Sequence, residues 1–568
     1  MNEWGHRLLL GLALMLSCAA CSVLIEDETC ASDSECATDE RCADEGFCVV
    51  VEQVSCEMLA ECGVGEACGA DGLCEVLENP GCERLGSDKG DALLLGFIMT
   101  FSGPYAESGV DQRKVVKLAL GEINDKGGIQ GLQGIEGQRE LAFMACDDKA
   151  DQDQTRAAAT YLASMRVPAI LGPGFSSLLE VAATEVAIPT GTFVVSPSST
   201  AVSIRDLDDD DLIWRISSSD TKQANTLAYF AVWLALEQQS ETETVRVVAV
   251  HTNDNYGTGF REGFESALDA YQLAYSAQLG EAGIAIDFSA VSHASEADST
   301  PEEWDAEVQD IVTILKDTGP QILLFVGYED VASVLSEVKK DEALKSVPLL
   351  LTDGVASVTL ATSYTSESDL PSQVFGVQPG YRTGSAYEHF VQLYQDPVPP
   401  TWTEYTYDAV YLLAYAAGSM TPDATTGAGF AEAFKRFDSR EGRVVNVGPD
   451  HLITACQDMG AGLSLDVRGA SGPLDFDTTT GEPESVGILR WTVGFPVAGE
   501  LGEVVDCGLA MVHEAGANAP TTYWCNAQCM TPPEVNATCA DGFCEEPAAI
   551  CAQGLCTSAG DCKPESAP

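Results

Sequence analysis

The chain has 568 residues, 45% of them hydrophobic, which is more than one ordinary core accommodates and implies two or more structural units. Its 29 lysines and arginines stand against 88 aspartates and glutamates, a formal net charge of −59. Such a surface repels phosphate backbones, so nucleic acid is excluded as a partner, and the acidity reads as solubility in an exposed or salty setting.

Residues 1–21, "MNEWGHRLLLGLALMLSCAAC", read as a targeting segment rather than structure. Arg7 precedes an apolar stretch, Leu8 to Leu16, that is too short to span a bilayer, and no later run reaches a spanning length. The stretch ends at Ser17-Cys18-Ala19-Ala20-Cys21, which resembles a bacterial lipobox, in which a cysteine takes the lipid and becomes the mature N-terminus. Cys18 and Cys21 both qualify. Cys18 is favoured by its apolar and small predecessors, and lipidation there leaves 20 cysteines, an even number. A lipid-anchored protein of the bacterial cell envelope, facing the periplasm or the cell surface, is the expectation.

A Cys-rich segment over 22–85 follows. Cys30, Cys36, Cys42 and Cys48, then Cys56, Cys62, Cys68 and Cys74, have five residues between successive cysteines within each set, and the second set repeats the first at a shift of 26. The residues between are too small and polar to build a core, so the segment is expected to be held by disulfides. A zinc site would need close pairs with histidines nearby, and no histidine lies between residues 7 and 250. No metal and no cofactor are expected. Cys525, Cys529, Cys539, Cys544, Cys551, Cys556 and Cys562 form a less regular disulfide-candidate cluster in a C-terminal segment, 505–568.

Between about 90 and 500 short apolar runs alternate with helical ones. "ALLLGFIMTF" reads as a buried strand, and Val115, Leu118 and Ile123 fall at helical spacing before the stop at Gly127-Gly128. The alternation runs to "GTFVV" and restarts after residue 216 with "VRVVAVH", "QILLFVGY" and "VPLLLTDG". This predicts α/β architecture: two Rossmann-like, doubly wound lobes with mainly parallel sheets, joined by a hinge and flanked by small disulfide-rich modules. Ligands of such sheets sit at the carboxyl ends of the strands. Two hydroxyl clusters lie there, "GPGFSS" at 172–177 and "SPSST" at 196–200.

"GPGFSS" lacks the third glycine and the distal acid of a dinucleotide fingerprint, and the chain has neither a Walker loop nor a nucleophile elbow. The histidines at 251, 293, 389, 451 and 513 are scattered, so no catalytic residue is assigned and no enzyme is expected. Two readings remain, helix capping and anion capture, and with no lysine or arginine in either cluster the anion would be small, such as a carboxylate. The five aspartates of "RDLDDDDLIW" lack the glycine and glutamate of a calcium loop and read as a solvated acidic turn. Cys146 and Cys456 would pair with each other or with outlying cysteines such as Cys82 or Cys507.

The segments "GFIMTFSGPYAESG", "INDKGGIQG", "CDDKADQDQTRAAA", "ILGPGFSS", "VVSPSST", "WRISSSDTKQA", "NDNYGTGF", "FVGYED", "LLTDG", "YTYDAVYLLAYAA" and "GPLDFDTTTGE" occur in an order that resembles the type I periplasmic binding proteins of the leucine/isoleucine/valine-binding family. The resemblance covers the middle of the chain and leaves out both Cys-rich ends. It implies lobe 1 over about 90–216 and 377–465, lobe 2 over about 217–376 and 466–500, and a ligand in the cleft between them. It also implies that Ser176, Ser177, Ser198 and Thr200 hold a carboxylate, that Tyr256 and Tyr328 close over the ligand, and that Asp353 faces an ammonium group or caps a helix. Asp353 stands where the amino-acid binders commonly carry the longer glutamate. Tyr105, Ser108 and Phe175 would border the ligand's side chain. The implied function is capture of an amino acid or similar carboxylate-bearing molecule for uptake through an ABC permease. A surface protein that senses or adheres with the same fold is the alternative.

Overall fold

The computed structural model describes residues 72–130, 138–237, 244–371, 373–396, 399–437, 442–484 and 486–495, with 55–56, 61–68 and the strand segments 40–42, 48–50, 503–513 and 521–522. By backbone contacts the chain divides into two units, Met1–Val76 and Leu77–Pro568.

In the smaller unit, strand Glu66–Cys68 pairs antiparallel with Cys74–Val76, and strand Glu40–Cys42 pairs likewise with Cys48–Val50. Both hairpins set cysteine opposite cysteine, Cys68 against Cys74 and Cys42 against Cys48. The bonds themselves run Cys56–Cys68 and Cys62–Cys74, each over 12 residues. Disulfide bonding takes the sulfurs of Cys56, Cys62 and Cys74 that would otherwise offer a cluster of metal ligands. Cys18, Cys21, Cys30, Cys36 and the seven C-terminal cysteines lie outside the described residues.

The larger unit holds two sheets. In the first lobe the chain forms β1 (Glu83–Gly86), β2 (Leu93–Met99), α1 (Ala106–Asp125), β3 (Leu141–Asp147), α2 (Gln152–Ser164), β4 (Ala169–Leu171), α3 (Ser176–Ala182), β5 (Phe193–Ser196) and β6 (Ile213–Arg215). The sheet order is β6-β5-β4-β2-β3-β1, parallel except for the edge strand β1. A disulfide, Cys82–Cys146, joins the start of that edge strand to β3, so Cys82 belongs to this unit, and Cys456 is a buried free thiol. The aspartate run is a turn, in which the Asp209 carboxylate accepts from the backbone N–H groups of Asp211 and Ile213.

The second lobe follows as α4 (Thr221–Glu237), β7 (Thr244–Thr252), α5 (Asn255–Ala274), β8 (Ala285–His293), α6 (Pro301–Thr318), β9 (Ile322–Val326), α7 (Val331–Val338), β10 (Leu349–Leu351), α8 (Val358–Ser363) and β11 (Val374–Pro379). Val245, Val247 and Ala249 of β7 pack on one side of this sheet and Val248 and Val250 on the other. That is why parallel strands read as unbroken apolar runs.

The chain then returns to the first lobe. The helix α9 (Thr403–Gly418) is buried along its whole length, and its Thr406 and Tyr407 hydroxyls donate to Gln112 and Glu122 of α1. Residues 466–484, expected in the second lobe, stay with the first: Phe476 packs on Trp214 of β6 and Glu482 pairs with Arg215. Only then do β12 (Val486–Gly494), β13 (Glu503–His513) and β14 (Thr521–Thr522) complete the second sheet, in the order β8-β7-β9-β10-β11-β12-β13-β14, the last three antiparallel. The fold therefore continues past residue 500. No helix among the described residues is long and apolar enough to cross a membrane.

Two consequences are measurable. The Cys82–Cys146 bond closes a loop of 64 residues, for which chain entropy predicts about 4 kcal/mol of stabilisation at most. Cys146→Ser is expected to lower the melting temperature of the larger unit by up to about 4 °C, and an unchanged melt would show that the link leaves the unfolded chain unconstrained. Burial also raises the carboxyls of Asp148 to about 6 and Asp408 to about 7. Each keeps a proton in the native state that the unfolded chain releases above its ordinary value near 4, so stability falls as pH rises, by ~1.4 kcal/mol per unit per group within that window. His251, lowered by burial, acts in the opposite sense. The ligand-free melt is expected to be higher at pH 5 than at pH 7.5.

Candidate functional site

The parallel order aims the carboxyl ends of β2, β4 and β5 at those of β7, β9 and β10, and an internal cavity of about 80 Å³ lies where they meet. From the first lobe it is lined by Tyr105, Phe175, Ser176, Ser198 and Thr200, and from the second by Tyr256, Tyr328, Glu329 and Asp353.

The two serine–threonine clusters are tied to one another. Ser176 Oγ accepts from the backbone N–H groups of Thr200 and Ala201, both at 3.1 Å, so its own proton remains to donate into the cavity. Ser198 Oγ donates to the Gly174 carbonyl at 3.1 Å, and the Thr200 hydroxyl bonds Asp220. Ser177, one residue along the start of α3, faces a different space of about 520 Å³ together with Asn253 and Asp254. Of the four hydroxyl residues, the inner cavity thus collects Ser176, Ser198 and Thr200 and leaves Ser177 outside.

On the other wall, Asp254 caps α5 through the Gly257 N–H at 2.8 Å and with its second oxygen accepts from the Tyr328 hydroxyl at 2.8 Å. This cap needs Gly257, where a side chain would run into the Thr252 carbonyl. Tyr328 in turn stacks on Tyr256, ring centres 5.3 Å apart. Asp353 Oδ1 accepts from the Tyr256 hydroxyl at 2.8 Å and from the Gly354 N–H at 2.9 Å, and is 3% exposed. Burial holds its carboxyl above the usual range, and holds Asp220, 1% exposed, well above it with Asp353's charge as the second cause. Asp220 Oδ2 meets no hydrogen-bond donor.

The lobes are clasped around this cavity. The Tyr105 hydroxyl donates to Asp330 Oδ2 at 3.0 Å and lies 2.9 Å from Ser295 Oγ. Glu107 accepts from the backbone N–H groups of Val358 and Thr359 at the start of α8, and Asn255 Nδ2 donates to Glu180 at 2.7 Å. Tyr105, Phe175 and Tyr328 pack edge to face or tilted, with centres 4.7–5.9 Å apart, and separate the inner cavity from the outer space.

Sequence reasoning singled out Tyr105, Ser108 and Phe175, all of which line the cavity, but missed Glu107, Glu329, Asp220 and Trp402. Asp220 and Glu329 lie inside segments quoted for the family resemblance, yet nothing local marks their burial. Trp402, behind Pro399-Pro400, holds φ +74°, a backbone that a bulky side chain seldom adopts.

The family model described as periplasmic binding protein matches residues 93–460, more than half of the chain. A Leu/Ile/Val-binding protein homolog 1 of Brucella abortus is 24% identical over 341 residues, 58% of this chain and 80% of the relative. The Leu-, Ile-, Val-, Thr- and Ala-binding protein of Pseudomonas aeruginosa is 25% identical over 254 residues, 45% of this chain and 58% of the relative. Among solved structures, the branched-chain amino acid transporter substrate-binding protein LivJ of Streptococcus pneumoniae in complex with isoleucine superposes with a TM-score of 0.53 at 18% identity, covering 73% of this chain and 99% of that one. The leucine-binding protein LivK of Thermotoga maritima gives 0.52 at 16%, covering 74% and 99%. With its cleft built at the carboxyl ends of two doubly wound sheets, the chain belongs to the periplasmic binding protein family, of the type I leucine/isoleucine/valine-binding kind, whose members are solute-binding proteins and not enzymes.

Proposed function

We propose that the protein captures an amino acid, or a closely similar molecule with one carboxylate and one ammonium, between its lobes and presents it to an ABC permease. The observation that carries this reading is the opposition inside one cavity of a buried anion, Asp353, to the neutral hydroxyls of Ser176, Ser198 and Thr200. A zwitterion needs an anionic acceptor at one end and neutral donors at the other: the Ser176 proton is uncommitted, and the Ser198 and Thr200 hydroxyls would turn from Gly174 and Asp220 to join it. The relatives' names as Leu/Ile/Val-binding proteins agree with that chemistry.

Closure supplies the rest of the mechanism. An open cleft admits the ligand, and the contacts of Tyr105, Glu107 and Asn255 across the lobes then exclude water from the ion pair, which strengthens it. Only an occupant that prefers the closed form shifts the population toward it. Lipid attachment through Cys18 or Cys21 to the bacterial envelope would keep the protein beside its permease. The paired hairpins before residue 77 favour the second reading, an envelope protein that uses the same lobes for sensing or adhesion.

Two substitutions separate chemistry from scaffold. Asp353→Asn keeps the shape and an acceptor for Tyr256 but removes the charge, and is expected to weaken amino-acid binding at least about 30-fold, the equivalent of ~2 kcal/mol for a charged hydrogen bond. Its ligand-free melt at pH 7 should be equal or higher, because the lost carboxylate is one that burial disfavours. Equal affinity by calorimetry would remove Asp353 from the site. Tyr105→Phe deletes two hydrogen bonds between the lobes, to Asp330 and Ser295, and is expected to enlarge the radius of gyration of the ligand-free protein in X-ray scattering, with each lobe's melt unchanged.

A further inference from the structure

The zwitterion reading accounts for Asp353 and the hydroxyl edge but gives three other carboxylates of the same cavity no contact with the ligand. Glu107, Asp111 and Glu329 also line it, and no lysine, arginine or histidine does. Glu329 sits at the mouth of the β9–α7 loop, next to Tyr328, and among the described residues its carboxylate meets no donor from another residue. Burial first, with a smaller contribution from the charge of Glu107, raises it to about 8. Glu107 is brought to this end of the cavity by the clasp itself, since its oxygens reach Val358 N at 2.7 Å and Thr359 Oγ1 at 3.2 Å. Asp111 is partly answered from outside, by the Tyr394 hydroxyl and the charge of Lys114.

Carboxyl groups therefore collect in two pairs, Asp353 with Asp220 and Glu329 with Glu107, and a cation arriving at Glu329 would displace the proton that burial leaves on it. A metal ion does not fit this arrangement: among the described residues no three carboxylates or histidines bring their ligand atoms within 4.8 Å of one another. An elongated organic cation does, and the aromatic side chains of Tyr105, Phe175 and Tyr328 line the cavity along its length. The outer space behind those rings is acidic too, lined by Asp151, Asp153 and Asp254 and by no lysine, arginine or histidine, so the field along this side of the cleft draws cations inward.

We infer that the ligand is a basic amino acid, whose α-ammonium meets Asp353, whose α-carboxylate meets the hydroxyls of Ser176, Ser198 and Thr200, and whose side-chain cation is received by Glu329 and Glu107. This rests on the amino-acid reading and narrows it to one charge class. Calorimetry on the full oxidised chain, with lysine, ornithine and arginine set against norleucine and leucine, tests it. At least one basic amino acid is expected to bind ten times more tightly than norleucine, which matches lysine without its terminal amine. Glu329→Gln, nearly isosteric, is expected to abolish that preference while changing norleucine affinity less than twofold, with a melt like that of the parent chain. Leucine or norleucine binding as tightly as every basic amino acid would overturn the inference and leave the amino-acid reading standing. A preference for lysine that survives Glu329→Gln would overturn the assignment of Glu329. A cooperatively folded chain that binds none of the five would overturn both readings.

Discussion

Two carboxylates held out of water at the boundary of the lobes govern the rest of the site. Asp220 ends the first crossing between the lobes and Asp353 begins the loop after β10, and closing the cleft places their charges against each other. Taking a charge out of water costs several kcal/mol after relaxation unless a partner or a proton compensates. The nearest cation, Arg215, is itself buried and divided between the Ala201 carbonyl, Glu482 and the field of Asp220. It secures the hinge more than it neutralises the cavity. The closed form is therefore one in which negative charge awaits a counter-charge, and a cationic group on the ligand turns the cost of closure into a reason for it.

The scaffold that imposes this is rigid where it must be. Asp254 joins the start of α5 to Tyr328, Tyr328 stacks on Tyr256, and Tyr256 holds Asp353, so the acid is reached from a helix cap through two rings. In the first lobe Ser176 bonds the backbone after β5, which fixes the distance between the two hydroxyl clusters. Asp408 accepts from the N–H groups of Ala470 and Ser471 and so pins α9, beside the cavity wall, to the segment that leads back to the hinge. Each of these links satisfies a buried polar group that would otherwise oppose folding.

Much of this was legible before the structure. Unbroken apolar runs alternating with helical spacing foretold two parallel sheets, the rule that ligands sit at strand ends pointed to the two hydroxyl clusters, and the family resemblance added Tyr256, Tyr328 and Asp353; Ser176, Ser198, Thr200 and these three line one cavity. Which of two adjacent serines faces inward was not legible. Neighbouring residues at a helix start point about 100° apart, and a sequence read without phase cannot choose between Ser176 and Ser177. Asp220, Glu107 and Glu329 were hidden for another reason: in so acidic a chain a carboxylate carries no signal until its burial is known. The Cys82–Cys146 bond was one of several open pairings because proximity of β3 to the residues before β1 is a property of the sheet. The late return of the chain to the second lobe was missed because 466–484 forms only short pieces, a parallel pairing of Leu465–Arg468 with Arg443–Asn446 and an antiparallel one of Phe476–Asp477 with Glu482–Pro483.

The division of labour between strands and loops explains how one fold accommodates different ligands. The groups we assign to the ends common to every amino acid stand at strand termini, Ser198 and Thr200 after β5 and Asp353 after β10, where the sheet fixes them. The groups at the other end stand on the first turn of α1, on the β9–α7 loop and on the segment 400–402, which connect elements without carrying the sheet. Loops accept substitution more readily than strands, so charge can change at Glu107 or Glu329 without disturbing the part that recognises the α-carbon substituents. The distant resemblance to binders of branched-chain amino acids is then compatible with a different side-chain preference.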